Sequence, residues 1–317
     1  MMQNSRIVVA LGGNALQSSK NEQTAQAQLK VVKNTCEILS GLIESGRSIV
    51  IVHGNGPQVG RIVLASEAAK DVTPIMPFDV CGAMSQGYIG YHIQQSLKMA
   101  LKEKNIDKGV VTLVTQVIVD VNDTAFDNPT KPIGPFYSKS QAEKIAREKG
   151  YTMREDAGRG FRRVVASPIP EEIVELESIR QLMNSDVVIT CGGGGIPVVR
   201  NESGHIEGVA AVIDKDYAAE LLAENIDADV LLILTEVEKV AVNFGRPDQI
   251  DLESMTYAEA EKYCTEGQFA PGSMLPKVKA AMKFVSANPD RKAIITSLSK
   301  AEDALDGRTG TAIIYDS

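Results

Sequence analysis

The sequence is short of the features that mark membrane, secreted and metal-binding proteins. No apolar run approaches the ~20 residues that a transmembrane helix needs. Arg6 is followed by only five apolar residues, which is too few for the core of a signal peptide. The four cysteines lie far apart without a CxxC pair, so neither a zinc knuckle nor a thioredoxin-like motif is expected. These absences predict a cytoplasmic protein that has no membrane partner and keeps its thiols reduced.

Positive charge is also in short supply. Lys and Arg total 33 against 41 Asp and Glu, which gives a net charge of −8. The basic footprint of a nucleic-acid binder is therefore absent, and no nucleic-acid partner is expected. Any phosphate site has to be built from a few local lysines and from backbone N–H groups. The 317 residues, 44% of them hydrophobic, suffice for one large globular domain or two lobes.

Several catalytic signatures are missing as well. The three histidines form no metal-ligand spacing, and neither an HExxH nor a GxSxG motif occurs, so no metal-ligating residue is predicted. The run GNGPQVG, residues 54–60, has the wrong spacing for a dinucleotide fingerprint, and the Walker pattern is absent. If the protein handles ATP, it does so without a Walker motif. His53 ends a buried strand and is expected to be structural or to flank a substrate.

Short apolar stretches rich in β-branched residues alternate with segments of helical periodicity, an order typical of a parallel α/β sheet. The first two strands, residues 6–11 and 48–53, are nearly all apolar, as expected for strands that are buried on both faces. Further strands are expected at residues 109–120, 186–190, 229–234, 293–296 and 311–315, with hairpins at 201–208 and 240–245. Helices are expected at residues 29–43, after Pro57, and at 83–103, 139–149, 171–183, 216–224, 256–264 and 277–285.

Residues 122–165 break this alternation. The stretch holds several prolines and glycines and a basic helix, and it is too long for an ordinary connection in a compact domain. Its charge density predicts a small solvated insert that stands off the sheet.

Three glycine clusters each follow a predicted strand. They are Gly12–Gly13, Gly54–Gly56 and Gly192–Gly195. Ligands of parallel sheets bind beyond the carboxyl ends of the strands, and glycine there lets backbone N–H groups approach a phosphate. A single cluster is explained equally well by a tight turn, but three at one edge of a sheet predict an anion site.

Three lysines lie in local settings that suit such a site. Lys215 and Asp216 stand where an apolar segment meets a predicted helix start, Lys277 follows a glycine-containing loop, and Lys131 lies between two prolines of the insert. Phosphoryl transfer needs positive charge around the moving group and little covalent chemistry. Each lysine, taken alone, is also compatible with an ordinary solvated side chain.

Taken together, these residues resemble a known family. The runs ALGGNA (10–15) and HGNGPQVG (53–60) resemble the amino-acid kinase family. Within it, the sequence is similar to the carbamate kinases in five further runs: GYIGYHIQQ (87–95), KPIGPFY (131–137), CGGGGIPV (191–198), VIDKD (212–216) and PGSMLPK (271–277). The likeness extends in order from residue 6 to residue 315.

The resemblance implies one domain over residues 1–317, a three-layer αβα sandwich around a mainly parallel sheet, with a protruding insert subdomain at 122–165. Residues 1–121 and 166–211 would form mainly the carbamate side, and residues 212–317 mainly the nucleotide side. A homodimer is also implied. The implied reaction is the reversible transfer of a phosphoryl group between MgATP and carbamate, giving MgADP and carbamoyl phosphate, as used to make ATP in arginine fermentation.

The resemblance also suggests roles for individual residues. Gly12, Gly13, Asn14, Gly54 and Asn55 are expected to hold carbamate and the transferring phosphoryl group. The expected catalytic residues are Lys131, Lys215, Asp216 and Lys277. The nucleotide is expected near Gly193, Gly194, Thr235, Asn243 and Met274, with Mg²⁺ held chiefly by phosphate oxygens.

One position departs from the wider family. Other amino-acid kinases carry a lysine on the first strand just before the glycines, where this sequence has Ala10. A cation lost from a phosphate site has to be replaced, and Lys131 from the insert is the expected substitute. Two alternatives remain at this stage: an acyl-phosphate kinase of the same fold that acts on an amino acid, and a catalytically silent sensor.

Overall fold

The computed structural model describes residues 5–17, 24–156 and 158–316. Its strands are β1 Arg6–Leu11, β2 Ser48–His53, β3 Gly109–Thr112, β4 Gln116–Val119, β5 Lys131–Tyr137, β6 Met153–Glu155, β7 Phe161–Val165, β8 Pro170–Ile173, β9 Asp186–Thr190, β10 Ile196–Arg200, β11 Ile206–Gly208, β12 Val230–Thr235, β13 Val240–Val242, β14 Ile250–Leu252, β15 Ser254–Thr256, β16 Lys292–Ser297 and β17 Thr311–Ile314. Its α-helices are α1 Ala25–Glu44, α2 Gly56–Ala68, α3 Phe78–Glu103, α4 Lys139–Lys149, α5 Leu176–Leu182, α6 Lys215–Asn225, α7 Tyr257–Thr265, α8 Met274–Ser286 and α9 Ala301–Leu305.

Eight of the strands form the main sheet, in the order β15-β17-β16-β12-β1-β2-β9-β3. All neighbouring strands in it are parallel except β16 and β17. The expectation of a mainly parallel sheet is confirmed. Because β1 lies between β12 and β2, the segment that follows β1 lies at the middle of one edge of the sheet.

The side chains of β1 explain why helices cover both faces of this sheet. Ile7, Val9 and Leu11 pack on one face with α1, α3 and α9, while Val8 and Ala10 pack on the other with helices α5 to α8. All five side chains are fully buried. Because alternate residues of a strand point to opposite faces, an uninterrupted apolar run requires a helical layer on each side. The expected three-layer αβα sandwich is confirmed.

The strand expected at residues 109–120 is two strands in two different sheets. β3 pairs with β9 in the main sheet, whereas β4 pairs with β8 and β10 in a separate four-stranded sheet. Between β3 and β4, the side-chain amide of Gln86 on α3 forms the hydrogen bonds that a neighbouring strand would otherwise form with the backbone of Thr115. It accepts a hydrogen bond from the Thr115 backbone N–H (2.8 Å) and donates one to the Thr115 carbonyl (3.0 Å). The break is therefore stabilised by a distant side chain, which the local pattern of residues does not reveal.

The helix expected at residues 171–183 is wrong in its first part. Residues 170–173 form β8, which pairs antiparallel with β4, and the helix α5 is limited to Leu176–Leu182. The Glu175 carboxylate accepts hydrogen bonds from both the backbone and the side-chain amide of Gln116, so the chain is fixed to β4 just before α5 begins. Tertiary pairing overrides local helix propensity here.

The insert forms a three-stranded sheet, β5-β7-β6, together with α4. The basic helix α4 spans the expected residues, because Ser138 and Gln141 form a capping box at its start and Gly150 ends it in the left-handed conformation. The insert shares no strand pairing with the main sheet in the part of the chain that the structure describes. It does not stand free, however, since β5 packs along α2.

None of the helices in the described part of the chain is long and apolar enough to cross a bilayer.

Candidate active site

Two glycine turns lie side by side at the middle of the main sheet. Gly12 follows β1, and its backbone N–H donates to the Leu234 carbonyl on β12 (3.1 Å). Gly54 follows β2, and its backbone N–H donates to the Leu11 carbonyl (3.2 Å). Since β1, β2 and β12 are parallel, both turns lie at the edge formed by the carboxyl ends of the strands, where α/β proteins bind ligands.

Two helices begin at this edge. Asn55 precedes α2, which starts at Gly56, and Asp214 precedes α6, which starts at Lys215. The Asp214 carboxylate accepts a hydrogen bond from the Asp216 backbone N–H (2.9 Å) and so caps α6. The N-terminus of a helix carries partial positive charge, so both helix starts favour an anion at this place.

Three lysines and two aspartates meet beside these helix starts. The Lys131 Nζ lies 2.5 Å from Asp214 Oδ2, the Lys215 Nζ lies 2.5 Å from Asp216 Oδ1, and the Lys277 Nζ lies 2.9 Å from Asp216 Oδ2. The lysines come from the insert, from α6 and from α8. The two carboxylates thus hold all three ammonium groups close together. Because there are three lysines and two aspartates, the cluster carries a net positive charge.

Asp216 is buried and yet charged, because its two lysine partners stabilise the carboxylate. The Asp216 side chain is only 3% exposed. Burial alone raises the pKa of its carboxyl group, but Lys215 and Lys277 outweigh burial and hold that pKa well below its usual range. Burial lowers the pKa of Lys215, although Asp216 opposes this shift, whereas for Lys277 the attraction of Asp216 exceeds the effect of burial and raises the pKa. Asp216 therefore stays an anion, and a carboxylate with so low a pKa is a weak base.

These groups line a cleft of about 190 Å³. The lining residues are Gly13, Gly54, Asn55, Gly56, Pro57, Gln58, Lys131, Pro132, Ile133, Gly193, Val212, Ile213, Asp214, Lys215, Asp216, Gly272, Ser273 and Lys277. The cleft combines backbone N–H groups from glycine turns, two helix N-termini and three cations. This combination is suited to neutralising a small polyanion such as a phosphoryl group.

The third glycine cluster closes the cleft from the side of β9. Gly193 and Gly194 have φ angles of +69° and +96°. A Cβ atom at Gly193 would lie 2.1 Å from Nδ2 of Asn55, and one at Gly194 would lie 2.3 Å from the carbonyl oxygen of Ile213. Asn55 also donates to the Ser85 hydroxyl (2.8 Å), so its amide is fixed between α3 and the glycine loop. Glycine is required here both by backbone conformation and by close packing.

We expect Gly194→Ala to lower the free energy of unfolding by roughly 3 kcal/mol, because left-handed strain and a clash with backbone add together. Gly204→Ala is a matched control, since Gly204 has a φ of +79° and nothing lies within 4 Å of the added Cβ. The control is expected to lose roughly 1 kcal/mol from strain alone. Urea denaturation measures both values, and equal losses would contradict the packing argument.

A second, mostly apolar cavity of about 250 Å³ adjoins the cleft. It is lined by Thr235, Glu236, Val237, Lys239, Ala241, Phe244, Gln268, Phe269, Ala270, Ser273 and Met274. Ser273 lines both spaces and marks the place where they meet. An apolar cavity beside a cationic cleft has the layout that a nucleotide needs, with a place for the base and a place for the phosphates.

The structure brings most of the predicted site residues to these two spaces. Of the remaining ones, Gly12 and Gly194 lie next to lining residues without lining the cleft themselves. Asn243 lies beside the second cavity, in a left-handed conformation (φ +53°), and its side chain donates to Asp248 (2.9 Å). The side chain of Asn14 lies outside the described part of the chain.

His53 is a buried side chain, which is compatible with the structural role that was one of the two expectations for it. It is 1% exposed at the end of β2, and its Nδ1 lies 2.9 Å from the Gly54 carbonyl oxygen. Burial lowers its pKa to about 4. The imidazole is therefore neutral at physiological pH, packed against Gly192.

Sequence reasoning missed two residues of the site. Asp214 binds Lys131 and caps α6, and its signal was an aspartate directly before a predicted helix start. Ser273 precedes α8 and joins the cleft to the second cavity. Its place depends on how α8 packs against the sheet, which no local motif indicates.

Comparison with known proteins agrees with this fold. The model of the amino acid kinase family matches residues 5–297. A carbamate kinase from Clostridium perfringens (strain 13 / Type A) is 56% identical over 313 residues, which cover 98% of this chain and 99% of the relative. A solved structure of carbamate kinase from Giardia lamblia bound to citric acid has a TM-score of 0.94 at 45% identity, and one bound to AMP-PNP has a TM-score of 0.91 at 46% identity. Both cover 100% of each chain.

The chain belongs to the amino acid kinase family. Within that family it groups with the carbamate kinases, as the sequence motifs indicated, and it is a kinase that transfers a phosphoryl group.

Proposed function

We propose that the protein catalyses reversible phosphoryl transfer between MgATP and carbamate, giving MgADP and carbamoyl phosphate. The observation that carries the proposal is the cluster of Lys131, Lys215 and Lys277 around Asp214 and Asp216, in a cleft between the glycine turns. The similarity to carbamate kinases over nearly the whole chain supports the choice of carbamate as acceptor.

The substrate end of the site is assigned to the turns after β1 and β2. Gly13 and Asn55 would hold the carbamate and the phosphoryl group through backbone N–H groups, and Asn14 completes this set. Gly12 and Gly54, whose own N–H groups are bonded to neighbouring strands, would shape the two turns around the substrate. The start of α2 adds its dipole at the same place. The fixed position of the Asn55 amide, between Ser85 and Gly193, means that little reorganisation is needed when substrate binds.

In the transfer step, an oxygen of carbamate attacks the γ-phosphorus in line with the leaving ADP. The new O–P bond forms as the bond from the γ-phosphorus to the bridging oxygen breaks, and that oxygen keeps the electron pair. Lys131 and Lys215 neutralise the phosphoryl oxygens, and Lys277 stabilises the charge on the bridging oxygen and ADP. Carbamate is already an anion, so no general base is required, and Asp216 acts by orienting Lys215 and Lys277.

The nucleotide end is assigned to the second cavity. Thr235, Asn243 and Met274 would surround the nucleotide there, and Gly193 and Gly194 would lie towards its phosphates. This places substrate binding mainly on residues 1–121 and 166–211 and nucleotide binding mainly on residues 212–317, in one domain with the insert at 122–165. The solved relative bound to AMP-PNP supports a nucleotide site in this fold.

Mg²⁺ is proposed to bind chiefly through the phosphates of ATP or ADP, where it would neutralise the developing charge. Within the described residues, no three His, Cys, Asp or Glu side chains are grouped closely enough to hold a metal ion. Asp214 and Asp216 are the carboxylates in the cleft, and both are already committed to lysines. Phosphate oxygens and water are then the natural ligands.

We further propose that the protein forms ATP from carbamoyl phosphate in arginine fermentation. We also propose that it is cytoplasmic and that it is a homodimer. Apolar side chains on the outer face of α3 support the dimer, because Val80, Met84 and Tyr91 are 37%, 47% and 58% exposed. Sedimentation velocity of the purified chain tests the dimer, and a single species with the mass of one chain would refute it.

A luciferase assay of ATP formed from ADP and carbamoyl phosphate tests the main proposal. We expect strong, Mg²⁺-dependent ATP formation that requires both substrates. A reaction without carbamoyl phosphate is the control for contaminating adenylate kinase activity. The absence of ATP formation, with tight nucleotide binding retained in calorimetry, would favour a sensor. ATP formation only with the acyl phosphate of an amino acid would favour the other acyl-phosphate kinases.

A further inference from the structure

The insert rests on the core through a close backbone contact between α2 and β5. A Cβ atom at Gly60 on α2 would lie only 2.3 Å from the Cα atom of Gly134 on β5. Lys131 is the first residue of β5, three residues before this contact. The position of the Lys131 ammonium in the cleft therefore depends on how the insert is seated on α2.

One acidic residue of α2 binds the insert at three points. Glu67 lies two turns after Gly60, so the two residues face the same side of the helix. Its carboxylate accepts hydrogen bonds from Lys149 and from the Tyr151 hydroxyl, and Arg163 Nη1 lies 3.7 Å away. The Glu67 side chain is only 9% exposed.

The three partners come from three different parts of the insert. Lys149 ends α4, Tyr151 lies between α4 and β6, and Arg163 belongs to β7. The guanidinium of Arg163 also lies 3.6 Å from the centre of the Tyr151 ring, which ties two of the partners together. A single carboxylate of the core thus contacts three separate parts of the insert.

A short path of backbone pairing leads from these contacts to the active site. Arg163 on β7 pairs directly with Ile133 on β5, and Val165 pairs with Lys131. A shift of β7 relative to α2 therefore moves β5 with it. Lys131 Nζ lies 2.5 Å from Asp214, on the core side, so such a shift changes the distance between the ammonium and the cleft.

We propose that Glu67 is a positioning residue for Lys131. It holds the insert on α2 in the one placement that brings the Lys131 ammonium into the cleft. This inference rests on the proposed role of Lys131 in neutralising the phosphoryl group. Burial alone raises the pKa of Glu67, but Lys149, Tyr151 and Arg163 together lower it below its usual value, which favours the charged carboxylate.

A double-mutant cycle of Glu67→Gln with Lys131→Ala tests the inference. In the otherwise unchanged protein, Glu67→Gln is expected to lower kcat by on the order of 10-fold, since displacement of a catalytic group by less than 1 Å has effects of this size. The KM for ADP should stay within about twofold of the starting value, because Glu67 acts on the insert and not on the nucleotide cavity. In the Lys131→Ala background, Glu67→Gln should change kcat by less than about twofold.

Glu172→Gln is the matched control, because the Glu172 carboxylate pairs with Arg200 (3.1 Å), and neither residue belongs to the insert. This variant should leave kcat unchanged. Lys149→Met supplies a second, milder variant. It removes only the partner of Glu67 that is most exposed to solvent, and it leaves the contacts of Glu67 with Tyr151 and Arg163 in place. It should lower kcat in the same direction by a smaller factor. An equal loss of kcat from Glu67→Gln in both backgrounds, or no loss in the unchanged protein, overturns the inference.

The cycle also separates this inference from the proposed function. If Lys131→Ala lowers kcat and Glu67→Gln does not, only the positioning role fails. If Lys131→Ala keeps full kcat, the role of Lys131 itself fails, and the positioning role fails with it.

Discussion

Replacing Lys131 by alanine is expected to lower the turnover of ATP formation from carbamoyl phosphate by on the order of 10²–10³-fold, the range seen for loss of one electrostatic stabiliser. The first strand supplies no cation, since Ala10 occupies the relevant position and is fully buried in the core. Removal of Lys131 also leaves the Asp214 carboxylate unpaired beside the phosphoryl group, which adds repulsion. Steady-state kinetics with ADP and carbamoyl phosphate measure the effect.

The fold of this variant is expected to survive. The Lys131 side chain is 30% exposed and lies at the end of a strand in the insert, so its truncation leaves no cavity in the core. Lys139→Ala is the matched control, because Lys139 is an exposed lysine of the same insert at the start of α4. It should retain full turnover. Turnover of Lys131→Ala close to that of the control would show that Lys131 has no catalytic role.

Replacing Asp216 by asparagine is expected to lower turnover on the order of 10²-fold, and to affect ADP affinity less. The carboxylate holds both Lys215 and Lys277, and an amide offers only one acceptor and no charge. The two lysines then lose their orientation and repel each other. Removing one partner of a buried ion pair also costs roughly 3–5 kcal/mol of stability, which urea denaturation measures.

The same variant should change the dependence of turnover on pH. Burial lowers the pKa of Lys215, and Asp216 opposes that shift. Without the carboxylate the pKa of Lys215 falls further, so the ammonium loses its proton at a lower pH. The alkaline decline of kcat should therefore begin at lower pH than in the unchanged protein.

Asp303→Asn is the matched control for this variant. Asp303 also contacts two cations, Arg308 at 2.7 Å and Lys300 at 3.7 Å, but it lies at the surface. Exposed ion pairs contribute little to stability, and Asp303 does not line the cleft, so this control should change neither turnover nor its pH dependence. Unchanged turnover of Asp216→Asn would show that Asp216 has no catalytic role and only belongs to the first turn of α6.

The elements that could be predicted from the sequence are those whose signals are local. The apolar run of β1 requires burial on both faces, and the capping box and terminal glycine of α4 fix its ends at Lys139–Lys149. Glycine clusters after strands β1, β2 and β9 predicted an anion site at one edge of the sheet, because parallel strands end together, and the structure brings the three clusters to that edge. The motifs around Lys131, Lys215 and Lys277 identified the family.

The elements that were missed depend on groups far away in the sequence. The break between β3 and β4 is stabilised by Gln86 on α3, and β8 is a strand because β4 lies beside it. No pattern within either segment carries this information, since a side chain that replaces a strand partner leaves no trace in local periodicity. Likewise, a lysine between two prolines is compatible with an ordinary surface loop until its neighbours are known.

By itself, the sequence determined the αβα class, and it predicted the edge of the sheet where we propose that an anion binds and the residue types available to bind it. Only the tertiary structure decided that Lys131 reaches Asp214, a residue 83 positions further along the chain, and that Glu67 contacts the insert that carries Lys131. The physical reason is the separation along the chain between the groups that interact. Burial and capping act between neighbours in the chain, whereas charge neutralisation in a cleft acts through space, between groups that only folding brings together.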